Sequence, residues 1–328
     1  MIAVDLPFQS DAWNRLLGQL ERLPHALLLH GPQGVGKLRL AERFAQLLLC
    51  EAPGSRTAPC GRCDGCRWFV AGNHPDVRFV EPETMARQSA REEEDEGTEK
   101  QKRKPSAEIR IEQVRALADF LNLVSHRGRR RVVIVHPAEA MNPHASNALL
   151  KSLEEPPPAA VFLLVSHRPS HLLPTIRSRC IPTPVPLPDA EAARRWLETQ
   201  GVAEGARWLA FAGGAPLRAL EYASGERGER IDRILAALGN GELAELEGAN
   251  DREALELLAE ALQKHAFDNT LASFGLPRRF APAIASGTMA RRAWLRYARE
   301  MGRNRALARH PLNARLHASE MLAGFPRN

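Results

Sequence analysis

Residues 31–38 read Gly-Pro-Gln-Gly-Val-Gly-Lys-Leu, which fits the phosphate-cradling pattern Gly-x-x-x-x-Gly-Lys up to Lys37 and breaks at Leu38. The stretch follows a short apolar run, Ala26 to His30, and opens a helical one. In that setting Gly31, Gly34 and Gly36 let backbone N–H groups wrap phosphates, and Lys37 neutralises them. The next position normally carries Ser or Thr, whose hydroxyl binds Mg²⁺, but Leu38 has no ligand atom. A hydrolytic site also needs a carboxylate at the end of a later apolar strand. Here Val132 to Val135 runs into His136-Pro137-Ala138-Glu139. Neither His136 nor Pro137 is a hard oxygen donor of the kind Mg²⁺ prefers, and Glu139 has no metal to work with. Gly31, Gly34, Gly36 and Lys37 therefore read as a degenerate phosphate loop, and ATP with Mg²⁺ is not expected to be used by this chain.

Cys50, Cys60, Cys63 and Cys66 form a second constellation, C-x9-C-x2-C-x2-C. Four thiolates with two C-x2-C steps suit a tetrahedral structural zinc better than disulfides, with Gly61 and Gly65 allowing the turns. An iron–sulfur cluster is the alternative, since C-x2-C-x2-C also opens ferredoxin motifs, but the C-x3-C-P ending is missing. A closed four-cysteine site has no open position, so its role would be structural. Ile176-Arg-Ser-Arg-Cys180 is a third candidate, although a Ser-Arg-Cys triplet alone says little.

The elements that must carry these residues are legible in the first half of the chain. Ala26 to His30, Val132 to Val135 and Val161 to Val165 are apolar runs of buried-strand type. Leu38 to Leu49 has apolar residues at helical spacing. Asn142-Pro143 starts a second helix, with Asn as cap and Pro at the first position, ending before Pro156-Pro157-Pro158. Strands alternating with helices imply a parallel sheet covered on both faces. Thr84 to Ser106 is polar, with acids at 92–96 and bases from Lys100 to Lys104, and reads as a disordered surface insertion. Pro182 to Pro188 looks like a linker, and helical patterns dominate beyond it. No apolar run is long enough to span a membrane. The start, MIAVDLPFQSDAW, lacks a signal peptide's basic region and apolar run, so the expected compartment is the cytoplasm. The net charge of +6 is compatible with a nucleic-acid neighbour without requiring one.

Taken together, Ser146-Asn-Ala-Leu-Leu-Lys-Ser-Leu-Glu-Glu-Pro-Pro157, Phe162-Leu-Leu-Val-Ser and Ile176-Arg-Ser-Arg-Cys180 resemble the clamp-loader branch of the AAA+ proteins. The resemblance covers roughly residues 1 to 225 and extends to the cysteine module after the phosphate-loop helix. Beyond it, Arg305 to Leu316 looks like a C-terminal helix of that branch. The family's gamma/tau motor subunits keep the Ser/Thr after the lysine and an Asp-Glu pair after the strand. Leu38 and His136-Pro137 depart from that pattern. The lid's sensor arginine is displaced too, with Leu217 in its place and Arg218 one position along. The resemblance is therefore to the non-hydrolysing side of the family.

That resemblance implies an AAA+ α/β core over residues 1–186 with a zinc module at 50–66. A helical lid follows at 187–227, then an all-α oligomerisation (collar) domain at 228–328. It implies gamma/tau and delta as partners, and a sliding clamp and primed DNA reached through the complex. It also implies that Arg179, flanked by Ser178 and Cys180, reaches a neighbour's ATP site as an arginine finger. Ser166, at a sensor position, would keep a structural hydroxyl. Two other readings stand beside this one. An active gamma/tau-type ATPase would bind Mg·ATP productively. A zinc-dependent DNA-binding protein would lean on the basic stretch Arg291 to Arg309, whose arginines otherwise mark a solvated or subunit-contacting face.

Overall fold

The computed structural model describes residues 6–52, 57–85, 105–122, 130–248, 251–281, 291–308 and 313–326. The chain forms two compact units, Met1–Pro188 and Asp189–Asn328.

The first unit is built on five parallel strands: β1 (Ala26–His30), β2 (Val77–Val80), β3 (Arg131–Val135), β4 (Ala160–Ser166) and β5 (Ile181–Pro184), in the order β2-β3-β4-β1-β5. Its helices are α1 (Ser10–Leu17), α2 (Lys37–Leu49), α3 (Asp64–Ala71), α4 (Ile111–Asn122), α5 (Pro143–Glu154) and the single turn α6 (Pro174–Arg177). Strand side chains alternate between faces. Ala26, Leu28, Val133, Val135, Phe162 and Leu164 join Val114, Leu117, Phe120 and Leu121 of α4 and Leu149 and Leu153 of α5 in one buried cluster. Helix α2 packs against β1, β3 and β4, burying Leu40, Phe44, Leu47 and Leu48. The central strands are apolar on both sides because both faces are covered. Helix α5 starts as its sequence predicts: Pro143 follows Asn142, whose side chain accepts the Ala145 N–H at 2.8 Å.

The expected linker at Pro182 to Pro188 begins instead as the edge strand β5. Val185 N–H donates to the His30 carbonyl at 2.8 Å, so odd-numbered residues face β1. Pro182 and Pro184 then place their missing N–H groups on the open edge, where proline is tolerated. β2 was not apparent in the sequence: it has four residues, one of them the exposed Arg78. The insertion's two feet are tied together. Thr84 N–H donates to the Ser106 carbonyl at 3.1 Å, and Ser106 N–H to Glu83 Oε2 at 2.7 Å, with Arg110 3.2 Å from Glu83. The acidic and basic runs between those feet lie outside the described residues.

The second unit is helical among the described residues: α7 (Ala190–Thr199), α8 (Gly205–Phe211), α9 (Pro216–Ala223), α10 (Gly225–Asn240), α11 (Arg252–Ser273), α12 (Arg291–Leu307) and α13 (Ala314–Ala323). Arg305 to Leu316 is not one helix. α12 ends at Leu307, and Asn313 caps α13 by accepting the Leu316 N–H at 3.2 Å. No helix among the described residues is long and apolar enough to cross a membrane.

Candidate functional site

The phosphate loop leaves β1 and turns into α2 through Gly34 and Gly36, at φ 83° and 85°, which favour glycine. Gly31 answers a different demand. Its φ is 152°, and a Cβ there would lie 2.1 Å from the Val185 carbonyl oxygen, so the backbone leaving β5 occupies the space. Lys37 is buried and turned back on its own loop, its Nζ donating to the Gly31 carbonyl at 2.8 Å and to that of Pro32. Burial brings its ammonium down to about 8, against the pull of the Glu139 carboxylate. Glu139 Oε1 in turn accepts the His167 N–H at 2.9 Å.

Where a metal-binding carboxylate would be needed, β3 runs into His136. Its ring packs edge-on against His167, with centroids 5.4 Å apart, and Nδ1 lies 3.9 Å from Glu81. Ser166 is fully buried at the end of β4, and its hydroxyl accepts the Arg168 N–H at 3.2 Å. The strand ends around the loop thus offer imidazole rings, a committed hydroxyl and two engaged carboxylates, Glu81 beside His136 and Glu139 with the His167 N–H, and the first position of α2 after the lysine is Leu38.

The four cysteines converge. All their Sγ atoms lie within 4.8 Å of one another, with Cys60–Cys66 at 3.9 Å and Cys63–Cys50 at 4.0 Å. A tetrahedron with metal–sulfur bonds of about 2.3 Å has edges of about 3.8 Å, so the spacing suits one ion. Cys50 ends α2 and Cys63 caps α3. Backbone N–H groups of Cys60, Cys63, Cys66 and Glu51 each donate to a neighbouring sulfur at 3.4 Å, a pattern that favours thiolates. N–H bonds from Arg62 and Cys63 bring the Cys60 thiol down to about 6, while burial raises that of Cys66. Gly61 takes φ 70° as its turn requires. Gly65 lies instead within α3, and is glycine because a Cβ would sit 2.6 Å from the Leu49 carbonyl oxygen. The residues can hold a metal ion.

Arg179 follows α6 and enters β5. β1 and β5 run parallel with Leu27 opposite Ile181 and His30 opposite Pro184. Arg179 therefore stands at the edge of the sheet where strands begin, and Lys37 at the edge where they end. They are separated by the length of β1, roughly 16 Å at ~3.3 Å per residue. The guanidinium is a third exposed: Nη2 lies 2.7 Å from Glu154 Oε1 at the end of α5, and Nη1 donates to the Thr175 carbonyl at 3.0 Å. Ser178 donates to the same carbonyl at 3.0 Å. Cys180 is buried, which pushes its thiol up to about 12 and makes it a packing residue. The pairing with Glu154 was not foreseen, although that residue lies within the Leu-Glu-Glu-Pro-Pro string.

In the second unit, Arg218 is committed elsewhere. Its Nη2 donates to both oxygens of the buried Glu260, at 2.8 and 2.7 Å. Lys264 at 2.6 Å, Arg305 at 2.9 Å and the Tyr222 hydroxyl at 2.6 Å converge on the same carboxylate. Burial pushes this carboxyl up, but Lys264, Arg218 and Arg305 together hold it down at about 2. Sequence reading missed this centre, whose partners lie up to 45 residues in sequence from Glu260 on either side.

The family described as "DNA polymerase III, delta subunit" matches residues 8–188. "DNA polymerase III subunit delta'" of Pseudomonas aeruginosa is 43% identical over 70% of this chain and 64% of its own length, so under two thirds of that relative is spanned. The Escherichia coli protein of the same name is 30% identical over 75% of this chain and 72% of its own. "DNA polymerase III subunit tau" of Escherichia coli is 34% identical over 55% of this chain and 24% of its own.

Proposed function

The chain belongs to the delta prime family of DNA polymerase III subunits, and from that premise we propose that it is the non-hydrolysing subunit of a clamp loader. Its partners in this reading are gamma/tau and delta, and through the complex a sliding clamp and primed DNA. Residues 1–186 are the AAA+ core, 187–227 a lid and 228–328 a collar domain that joins the other subunits.

One observation carries the reading. Arg179 stands at the opposite edge of the sheet from its own phosphate loop, where Leu38 and His136 occupy the metal-ligand positions. An arginine so placed cannot serve its own loop, whereas a neighbour packed on that edge brings an ATP site within reach. A guanidinium suits the task because its planar, permanently charged fork matches phosphoryl oxygens. The contact with Glu154 does not stand in the way: exposed pairs are worth only about 0–1 kcal/mol, less than a phosphate contact returns. Arginine fingers contribute on the order of 10³–10⁵ in rate. Ser178 braces the turn that presents Arg179, and Cys180 anchors it in the core. Cys50, Cys60, Cys63 and Cys66 hold a structural zinc.

The test is reconstitution with gamma/tau and delta. The wild-type chain should co-elute with both and release no phosphate by itself. Arg179→Ala should assemble equally well but lower the DNA-stimulated ATPase and clamp loading of the complex, with little rescue by Arg179→Lys. Normal loading by an assembled Ala variant would exclude the trans role. Intrinsic turnover lost in Lys37→Ala would instead mean an active motor.

A further inference from the structure

Helix α12 carries six arginines and a single acid, Glu300, in 17 residues. Its buried side is Trp294, Tyr297, Met301 and Asn304, facing the neighbouring helices of the second unit. At roughly 100° per residue, Arg292, Arg296, Arg299 and Arg303 fall within an arc of about 60° on the far side. All four are exposed. None of them meets a carboxylate among the described residues.

Elsewhere in the same unit Arg233, Arg252 and Arg315 are also exposed with no ion pair among the described residues, but they stand on separate helices, while three half-buried arginines are paired. Arg194 bonds Glu191 and Glu198, Arg207 bonds Glu204 and Asp232, and Arg227 reaches Glu221 and Glu253. On α12, Arg305 falls on the opposite side of the helix from the stripe and pairs with Glu260. The Glu300 carboxylate lies toward the end of α13, 3.7 Å from where a Cβ on Gly324 would stand. Four like charges on one face repel one another, and no acid interrupts them. What sets α12 apart is that four such arginines stand in one row.

We infer that this face binds the phosphate backbone of nucleic acid directly. Arg292 to Arg303 spans about 16 Å of helix, the axial reach of roughly five phosphates of one strand at ~3.4 Å each. A protein partner fits less well. Protein interfaces place apolar side chains at the centre and deplete it of charge. Here charge fills the centre, and Leu295 and Leu307, each 45% exposed, only flank it. A straight row of guanidiniums offers phosphate contacts and no reading of base edges, so binding is sequence-independent. The inference concerns the second unit alone and stands whether or not the chain assembles as proposed above.

Anisotropy titrations of the full chain into a labelled mixed-sequence oligonucleotide, single-stranded and duplex, across a salt series, test this. The wild-type chain should bind both at low salt. The quadruple variant R292A/R296A/R299A/R303A should lose at least about tenfold in affinity. Its log K against log salt slope should become shallower by about 0.9 per contact on duplex and about 0.7 on single strands. Ala is the best helix former, so far-UV circular dichroism and the melting temperature should be unchanged. The matching Arg→Lys variant keeps the charges and should keep the slope. No binding by the wild-type chain at low salt overturns the inference, as does an Ala variant with wild-type affinity and slope. So does an Ala variant that binds DNA normally but fails to join gamma/tau and delta, which would make the face a protein contact.

Discussion

Gly31 meets two demands at once, and only one of them was apparent from its motif. The phosphate-loop pattern accounts for a glycine through backbone N–H groups approaching a ligand. The Val185 carbonyl accounts for it through the exit of β5, which passes where a side chain would begin. The second demand holds even where no nucleotide binds. Gly31→Ala should therefore destabilise the first unit by roughly 2–4 kcal/mol, through overlap with backbone that has no rotamer to change. Thermal melts without nucleotide would read it directly, and an unchanged melt would mean that β5 can move aside. The same distinction separates the two glycines of the cysteine module. Gly61 serves a turn, whereas Gly65 serves the closeness of α3 to the end of α2.

At the scale of elements, Glu260 fastens α9, α11 and α12 through Arg218, Lys264 and Arg305. Removing one partner of a buried ionic centre leaves the others uncompensated, so Glu260→Gln should cost about 3–5 kcal/mol at neutral pH. Its carboxyl is held at about 2 against an ordinary 4.5. The unfolded state therefore takes up the proton first, and the stability this group supplies is complete above about pH 4.5. It is lost as the pH falls from there toward 2. Denaturation midpoints across that window should fall in the wild type and stay flatter in the variant; parallel curves would contradict the assignment. None of this centre is written in local pattern, because its members come from three helices. β1, β3, β4, α2 and α5 were legible because periodicity, caps and turn residues are local. β5 was not, since an edge strand tolerates the prolines that mark a linker. The Ser-Arg-Cys segment was legible only as a family string, and its place at the opposite sheet edge follows from strand register, which sequence does not display.

The whole molecule divides at Pro188 into a sheet-centred unit and a helical one, each with its own core. Zinc in the proposed site would belong to the first alone, joining the end of α2 to the start of α3. Chelation under denaturing-free conditions should lower the thermal transition of that unit by roughly 10 °C, or about 3–5 kcal/mol. The acid-sensitive transition of the helical unit should not move. Calorimetry with and without a chelator would show this, and a uniform shift of all transitions would place the metal elsewhere. The tied feet of the insertion carry a consequence of another kind. Because Thr84 and Ser106 are bonded to each other and Glu83 braces the junction, the sheet receives the same two ends whatever lies between them. Closing a longer loop costs only about 0.6 kcal/mol per doubling. A change of length between the feet should therefore cost the fold little, read as an unchanged melting temperature of the first unit. For the same reason this is the position at which an engineer could splice in a foreign peptide.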